Sequence, residues 1–328
     1  MVLMVLLLGG LIILDIRFGT VRITLSDMIR HLAGTRDLTE QQLIILTRFR
    51  IPRVCTALLA GAALPVCGLQ MQTLFRNPLA GPYVLGISSG ASFGAALVVL
   101  GTGASGLLSG WSLAASAWMG AGLVMLLLLF VSFRIRDGLT ILILGIMFSS
   151  GLSAVISMMQ YFSQADALKS FVIWSMGSLG NTTGKNLGVM AWTILPFLLL
   201  TMSYTRVLNG LILGEEYAVT MGIRIRRSRT MILASTSILA GTVTAFCGPI
   251  GFIGIAVPHV VRFLIRRSDH GILLPATMVT GMVVLVFSDL ISQLPGTDRI
   301  LPINAVTSLI GIPVVIWLVI LNRKVHAI

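Results

Sequence analysis

The sequence predicts an all-α, polytopic membrane protein that forms a single domain over residues 1–328, and three observations predict it. The first is composition. Hydrophobic residues make up 56% of the chain, charged residues only 10%, and the mean hydropathy is +0.99, whereas a soluble domain carries about 25% charged residues. Such a chain cannot cover itself with polar surface. The second is segmentation into about ten apolar runs, near 1–16, 54–74, 83–101, 111–133, 139–162, 187–208, 229–247, 250–265, 272–292 and 301–321. Each reaches the length of a helix that crosses roughly 30 Å of hydrocarbon, some barely. The third is charge asymmetry. With the N-terminus inside, Arg76, Arg134, Arg136, Arg206, Arg224, Arg226, Arg227, Arg229, Arg262, Arg266, Arg267, Arg323 and Lys324 all fall in inner connections, where Lys and Arg accumulate. The formal charge of +12 is thus a topology signal, with both termini inside. No aromatic-interleaved basic stripe points to nucleic acid.

Taken in order, residues 1–16 read as a first span, because no basic n-region precedes them and no A-x-A-like cleavage site follows before Asp15. The outer segment 17–53 breaks the charge bias with seven arginines, ending in Arg48, Arg50 and Arg53. Two readings stand: Asp15, Asp27, Asp37 and Glu40 offset them and the remainder meet lipid headgroups, or they form a docking patch for an acidic partner. After 54–74, the stretch from Arg76 to Gly94 is interrupted by Pro78, Gly81 and Pro82, which break helix. Gly86, Gly90 and Gly94 recur every fourth residue and leave a smooth face, suited to close packing or to a backbone-lined path. Spans 83–101 and 111–133 lead to 139–162, whose Ser149, Ser150, Ser153 and Ser157 serve either helix packing or weak contacts to a passing solute. The run 187–208 enters the inner segment 206–228, long for a membrane connection. Beyond 229–247, Gly248-Pro249 and Gly251, Gly254 and Pro258 repeat the broken pattern through 250–265. His259, close to Arg262, takes a functional role or a structural hydrogen bond. The runs 272–292, with Asp289, and 301–321 complete the chain.

An internal repeat organises these runs. Thr56-Ala57-Leu58-Leu59-Ala60-Gly61 aligns with Thr236-Ser237-Ile238-Leu239-Ala240-Gly241, and Cys67-Gly68 with Cys247-Gly248, at a constant offset. The two copies stand an odd number of spans apart, so they must cross the membrane in opposite senses, as in inverted-repeat transporters. The halves are roughly 54–162 and 229–321.

Several chemistries are excluded. Cys55, Cys67 and Cys247 sit in or at the ends of apolar runs and behave as small hydrophobes. His31, His259, His270 and His326 are too scattered for a metal site. Gly180-Asn181-Thr182-Thr183-Gly184-Lys185-Asn186 has one residue too few between its glycines for a phosphate loop, and Asn after its Lys. No H-E-x-x-H motif is present, and the G-x-S-x-G spacing of Gly86–Gly90 lies within a glycine-rich apolar run of a helical membrane chain rather than at a strand-to-helix turn. The chain is therefore not expected to be an enzyme or to bind a cofactor.

Six stretches resemble the FecCD-type permeases of ATP-binding-cassette importers: Arg50-Ile51-Pro52-Arg53; L-F-R-N-P-L-A from Leu74 to Ala80; L-G-I-S-S-G-A from Leu85 to Ala91; L-G-E-E-Y-A from Leu213 to Ala218 with Met221-Gly222; G-F-I-G-I-A-V-P-H from Gly251 to His259; and P-I-N-A-V-T-S-L-I-G-I-P from Pro302 to Pro313. That family imports iron-siderophores, haem and vitamin B12 across the bacterial inner membrane. The resemblance implies a permease homodimer, two ATPase subunits that carry ATP and Mg, and an external substrate-binding protein. It implies that Leu213, Gly214, Glu215, Glu216, Ala218, Met221 and Gly222 couple to the ATPase, with Gly222 allowing a sharp turn between two short helices. Arg50 and Arg53 would dock the binding protein, as would Arg299, since Gln293 stands where the vitamin B12 member has a further docking arginine. Asp137, Gly138, Leu139 and Thr140 would form the inner gate, less hydroxyl-rich than in that member, with Ser149, Ser150 and Ser153 along the path. An iron-siderophore is the first expectation for the cargo and haem or vitamin B12 the alternative. A remoter alternative is a secondary transporter with His259 or Asp289 as proton relay.

Overall fold

The computed structural model describes residues 1–18, 39–101, 110–135, 138–182, 184–293 and 300–325. Among these, every regular element is a helix. α1 (Val2–Arg17) is followed by α2 (Glu40–Ile45), which opens on a capping box between Thr39 and Gln42. A π-helical turn, Leu46–Arg50, joins α2 to α3 (Ile51–Leu74). Then come α4 (Ile87–Val99), α5 (Gly110–Arg134), α6 (Gly138–Phe162), α7 (Ala165–Ser175) and α8 (Gly184–Ser203). The short pair α9 (Thr205–Leu213) and α10 (Glu215–Thr220) precedes α11 (Ile225–Cys247), α12 (Ile253–Ile265), α13 (His270–Ser292) and α14 (Ile303–Val325).

Six of these helical segments, containing α3, α5, α6, α8, α11 and α13, are long and apolar enough to cross a membrane. The expected ten runs all contain helix, but α4 and α12 have only 13 residues each, about 20 Å of helix. Their flanking breakers explain this. Pro78 and Pro82 keep 76–86 out of regular helix, and Gly86, at φ 75, starts α4 in a backbone region that glycine tolerates. Gly248-Pro249 does the same ahead of α12.

The centre of the bundle is α3, α11 and α13, packed through small residues. A Cβ on Gly61 would lie 2.8 Å from the Gly281 carbonyl oxygen, and one on Gly68 only 1.5 Å from that of Gly254. Backbone-to-backbone approach of this kind is how membrane helices gain dispersion energy where apolar burial supplies no driving force. Gly90 and Gly94 meet Gly120 and Ser116 of α5 in the same way, so this glycine stripe is a packing face rather than a path. Polar pairs fasten the centre: Thr236 donates to Gln70 Oε1 (2.9 Å) and Gln70 to Thr201 (3.1 Å). α3 runs antiparallel to α13, since Arg53 meets Asp289 at one end and Thr73 meets His270 at the other. The two interrupted segments also touch each other. The Tyr83 hydroxyl donates to the Ile250 carbonyl, and His259 Nε2–H donates to the Pro78 carbonyl at 2.6 Å.

Candidate functional site

At one end of the bundle, α1, α3 and α13 bring together Asp15, Arg50, Arg53, Asp289 and Gln293. Arg53 holds Asp289 through two bonds of 2.8 Å, from Nε to Oδ2 and from Nη2 to Oδ1. Gln293 donates to Asp15 (2.7 Å) and to Asp289 (3.3 Å). Asp289 is fully buried and Asp15 nearly so. Arg50 is buried too, and its Nη1 donates to the carbonyls of Ile16 (2.7 Å) and Arg17 (3.2 Å), the last turn of α1, where a cation meets the negative end of the helix dipole. Both arginines that were expected to face a docking partner are thus satisfied within the chain, and the Arg53 side chain is 17% exposed. Arg299 lies outside the described residues.

At the other end, α9 and α10 form a helical hairpin against the bundle. Gly214, at φ 121, allows the corner between them. Gly222, at φ 80 and with open space around it, allows the turn that leads to α11. Glu215 caps the arrangement by accepting from Arg229 of α11 at 2.6 Å. Ala218 is fully buried, facing Gly210, so its methyl packs the hairpin internally. Leu213, Tyr217, Val219 and Met221 point outward, each 58–61% exposed, and Glu216 is exposed beside them. The result is an exposed apolar patch on an otherwise arginine-rich end.

A buried relay ties that hairpin to the bundle. Asn209 of α9 donates through Nδ2 to Asp269 (2.7 Å), and its Oδ1 accepts from the His270 backbone and from His270 Nδ1, each at 2.8 Å. Because Oδ1 can only accept, Nδ1 carries the ring proton. Nε2 then faces the Thr73 hydroxyl of α3 as an acceptor, 2.9 Å away, sharing its proton with the Leu69 carbonyl at 2.8 Å. His270 is fully buried. Asp269, the N-cap of α13, also accepts from Gly271 N at 3.0 Å, and the Asn209 amide and this capping bond hold its carboxyl below the usual carboxylate range.

α6 is the most exposed of the long helices, with 22% of its apolar window buried. Ser150 and Ser153 lie on its open face, whereas Ser149 shares a hydroxyl hydrogen bond with Ser89 of α4 and so belongs to packing. Gly138 stands against Phe75 at the start of the helix, Leu139 is exposed and Thr140 partly buried. Asp137 lies outside the described residues.

The profile of the FecCD transport family matches residues 5–321. The chain belongs to this family. Its FecCD relatives include the vitamin B12 import system permease protein BtuC of Klebsiella pneumoniae, 38% identical over 281 residues that cover 85% of this chain and 83% of that one. The BtuC protein of Escherichia coli O9:H4 is 36% identical over 278 residues, 84% of each chain. Among solved structures, one described as an inward-facing conformation of a metal-chelate type ABC transporter superposes with a TM-score of 0.85 at 28% identity, covering 96% of this chain and 97% of that one. PsaBC from Streptococcus pneumoniae, at TM-score 0.55 and 14% identity over 89% of this chain and 95% of that one, shares the fold alone. The protein is accordingly a multi-pass membrane transport subunit of the ABC importer permease type.

Two features of this FecCD chain escape sequence reasoning. The partnership of Arg53 with Asp289 spans 236 positions, and no local pattern marks it; an isolated acid inside the apolar run 272–292 was its only trace. The relay Asn209–His270–Thr73 joins three distant segments, and its single legible signal is Asp269 as a helix cap just before an apolar run.

Proposed function

We propose that this chain is the permease subunit of a binding-protein-dependent importer in the bacterial inner membrane, that it works as a homodimer with two ATPase subunits, and that vitamin B12 is its cargo. The observation that carries the reading is the family match over nearly the whole chain together with BtuC relatives. That similarity moves vitamin B12 ahead of the iron-siderophore expected from sequence. A siderophore or other metal chelate is the second reading, favoured by the metal-chelate type neighbour.

In this reading the hairpin α9–α10 is the coupling element, with the exposed Leu213, Tyr217, Val219 and Met221 as its contact face and Gly214, Glu215, Ala218 and Gly222 shaping it. Closure of the ATPase pair moves the hairpin, and the Asn209–His270–Thr73 relay carries the movement to α3 and α13. The substrate passes along the faces of α6 that bear Ser150 and Ser153, towards a gate at Asp137–Thr140. A binding protein docks at the opposite end near Arg50, Arg53 and Arg299. The chain crosses the membrane ten times with its termini inside, α4 and α12 being completed by the interrupted segments before them. The antiparallel sense of α3 and α11, and the matching short helices α4 and α12, support an inverted repeat. His259 and Asp289 are both committed to partners within the chain, which counts against a proton-relay transporter.

The test is uptake of labelled vitamin B12, a ferric siderophore and haem in proteoliposomes that contain the whole complex. Vitamin B12 accumulation that requires ATP supports the reading. Accumulation of a ferric siderophore alone transfers the assignment to the second reading.

A further inference from the structure

Beyond transport, the structure holds two guanidinium groups at a cavity where, among the described residues, neither pairs with an acid. The cavity, about 250 Å³, opens at the end of the bundle that carries α9 and α10, and is lined by Gln72, Thr73, Arg76, Ile212, Arg262 and Ser268, with Leu273. Arg262 of α12 is partly buried, and its one hydrogen-bond partner among the described residues is the neutral Oε1 of Gln72 at 2.7 Å. Arg76 is exposed at the mouth of the cavity; among the described residues its one hydrogen bond is to the Leu211 carbonyl at 3.4 Å, and its guanidinium lies against Gly214 between α9 and α10. It also sits at φ 46, a left-handed conformation unusual for a side-chain-bearing residue, and such strain gathers at binding sites.

The contrast with the rest of the molecule gives these facts weight. Of the other arginines drawn into the bundle's ends, Arg53 and Arg229 each hold a carboxylate, as a partly desolvated cation requires, and Arg50 holds two carbonyls of α1. The nearest acid along the chain, Asp269, is turned to Asn209 and Gly271. Arg266 and Arg267 follow on the same connection and add positive potential. Thr73 is spent on His270, while the exposed Ser268 offers a hydroxyl.

We propose that the Arg76–Arg262 cavity is a binding site for a phosphate-type oxyanion, which bridges α12 to the end of α3 beside the hairpin α9–α10. Two forked cations and a hydroxyl suit a tetrahedral oxyanion with several acceptor atoms. The same chemistry comes from two sources, a free phosphate ion or the headgroup of an anionic phospholipid, and basic pockets between membrane helices are known for the latter. A ligand there would touch the base of the hairpin through Leu211 and Ile212, and so bias its position.

The experiment uses the detergent-solubilised full chain and two probes, inorganic phosphate and dihexanoyl phosphatidylglycerol, with dihexanoyl phosphatidylcholine as the neutral control. At saturation, either anionic probe should raise the melting temperature by about 4 °C, and phosphatidylcholine should not. The rise should vanish in the double variant Arg76→Gln/Arg262→Gln and persist in Arg76→Lys/Arg262→Lys. A rise with phosphate identifies the free ion as sufficient, and one with phosphatidylglycerol alone identifies the lipid. Should the glutamine variant fail to fold, native mass spectrometry of the unaltered protein decides: retained phosphatidylglycerol or phosphate adducts that exchange for each other support the site. The proposal is overturned if neither probe binds, if the rise survives in the glutamine variant, or if the arginines are instead found paired with an acidic side chain of the ATPase in the assembled complex.

Discussion

The two ends of the bundle treat charge in opposite ways. At the Arg53 end every arginine drawn inward meets an acid or a helix carbonyl of the same chain, so α1, α3 and α13 are clamped together. At the hairpin end Glu215 takes Arg229, while among the described residues Arg76 holds only a carbonyl and Arg262 only an amide oxygen, and an apolar patch faces outward. Among the described residues, the inward arginines of the first end are met within the chain, although the buried Asp15 Oδ2 accepts no bond, whereas the second end keeps cations without acids. In the proposed coupling, rigidity belongs to the first end and the partner-driven movement to the second.

The sharpest way to break the comparison is to uncover the clamp. Asp289→Ala leaves the largely buried Arg53 with no carboxylate and only a long bond to Ser292 Oγ (3.4 Å), and should cost about 3–5 kcal/mol of stability. Replacing both partners, as in Arg53→Met/Asp289→Leu, should recover most of that loss, because two apolar groups need no pairing. Thermal melting of the purified chain reads both. Equal losses in the single and double variants would deny the clamp.

At the other end His270→Ala should cost about 1–3 kcal/mol, since it removes a fully buried ring and two of its hydrogen bonds, although Asn209 Oδ1 keeps the backbone N–H of residue 270 and Thr73 keeps the Leu69 carbonyl. His270→Gln should restore part of it. If the relay transmits movement, uptake falls further than stability does, while ATP hydrolysis by the complex continues.

Docking is expected to be a smaller effect. Because Arg53 is engaged by Asp289 and Arg50 by α1, a binding protein gains little from either arginine. Arg50→Gln should weaken its affinity only several-fold, in the range of about 1 kcal/mol for an exposed charge pair, with a reduced salt dependence. Titration of the binding protein at low and high salt reads this. A loss of a hundredfold or more would show that the arginines leave their internal partners on docking.

The smallest expected effect is that of pH on Asp269. Its folded carboxyl titrates below the ordinary carboxylate value, so its cap and its hold on Asn209 stabilise the fold above the unfolded value, near 4, and that stability is lost as pH falls through the depressed folded value. Asp269→Asn should flatten the acid limb of the stability profile.

Much of this architecture was legible in the sequence, and the limits follow from physics. Runs such as 54–74 and 272–292 announce themselves because a membrane-crossing helix needs a long apolar stretch. The breakers Pro78, Pro82 and Pro249 foretold interrupted helices, whereas the sharp turn expected at Gly222 between the two short helices falls at Gly214, and Gly222 instead turns the chain into α11. Two things had no local signature. The ten runs look alike in hydropathy, so nothing distinguished the buried α3 from the exposed α6; that depends on which faces carry Gly61, Gly68 and Gly281. The partners of Arg53 and His270 are set by helix packing between distant segments, which composition and spacing do not encode. The role of Ala218 illustrates the same gap, for its place in the family motif suggested a contact and its burial makes it a packing residue.

The central claim is that the hairpin α9–α10 drives transport from the open end. Its most direct test is Gly222→Pro in the reconstituted complex, with ATP hydrolysis and chelate uptake measured side by side. Gly222 needs φ 80 and proline is locked near −65°, while the open space around it confines the damage to the turn. The account predicts an inserted, ATPase-bound permease that hydrolyses ATP and imports almost nothing. Uptake at the unaltered rate with the ATPase still bound would contradict it.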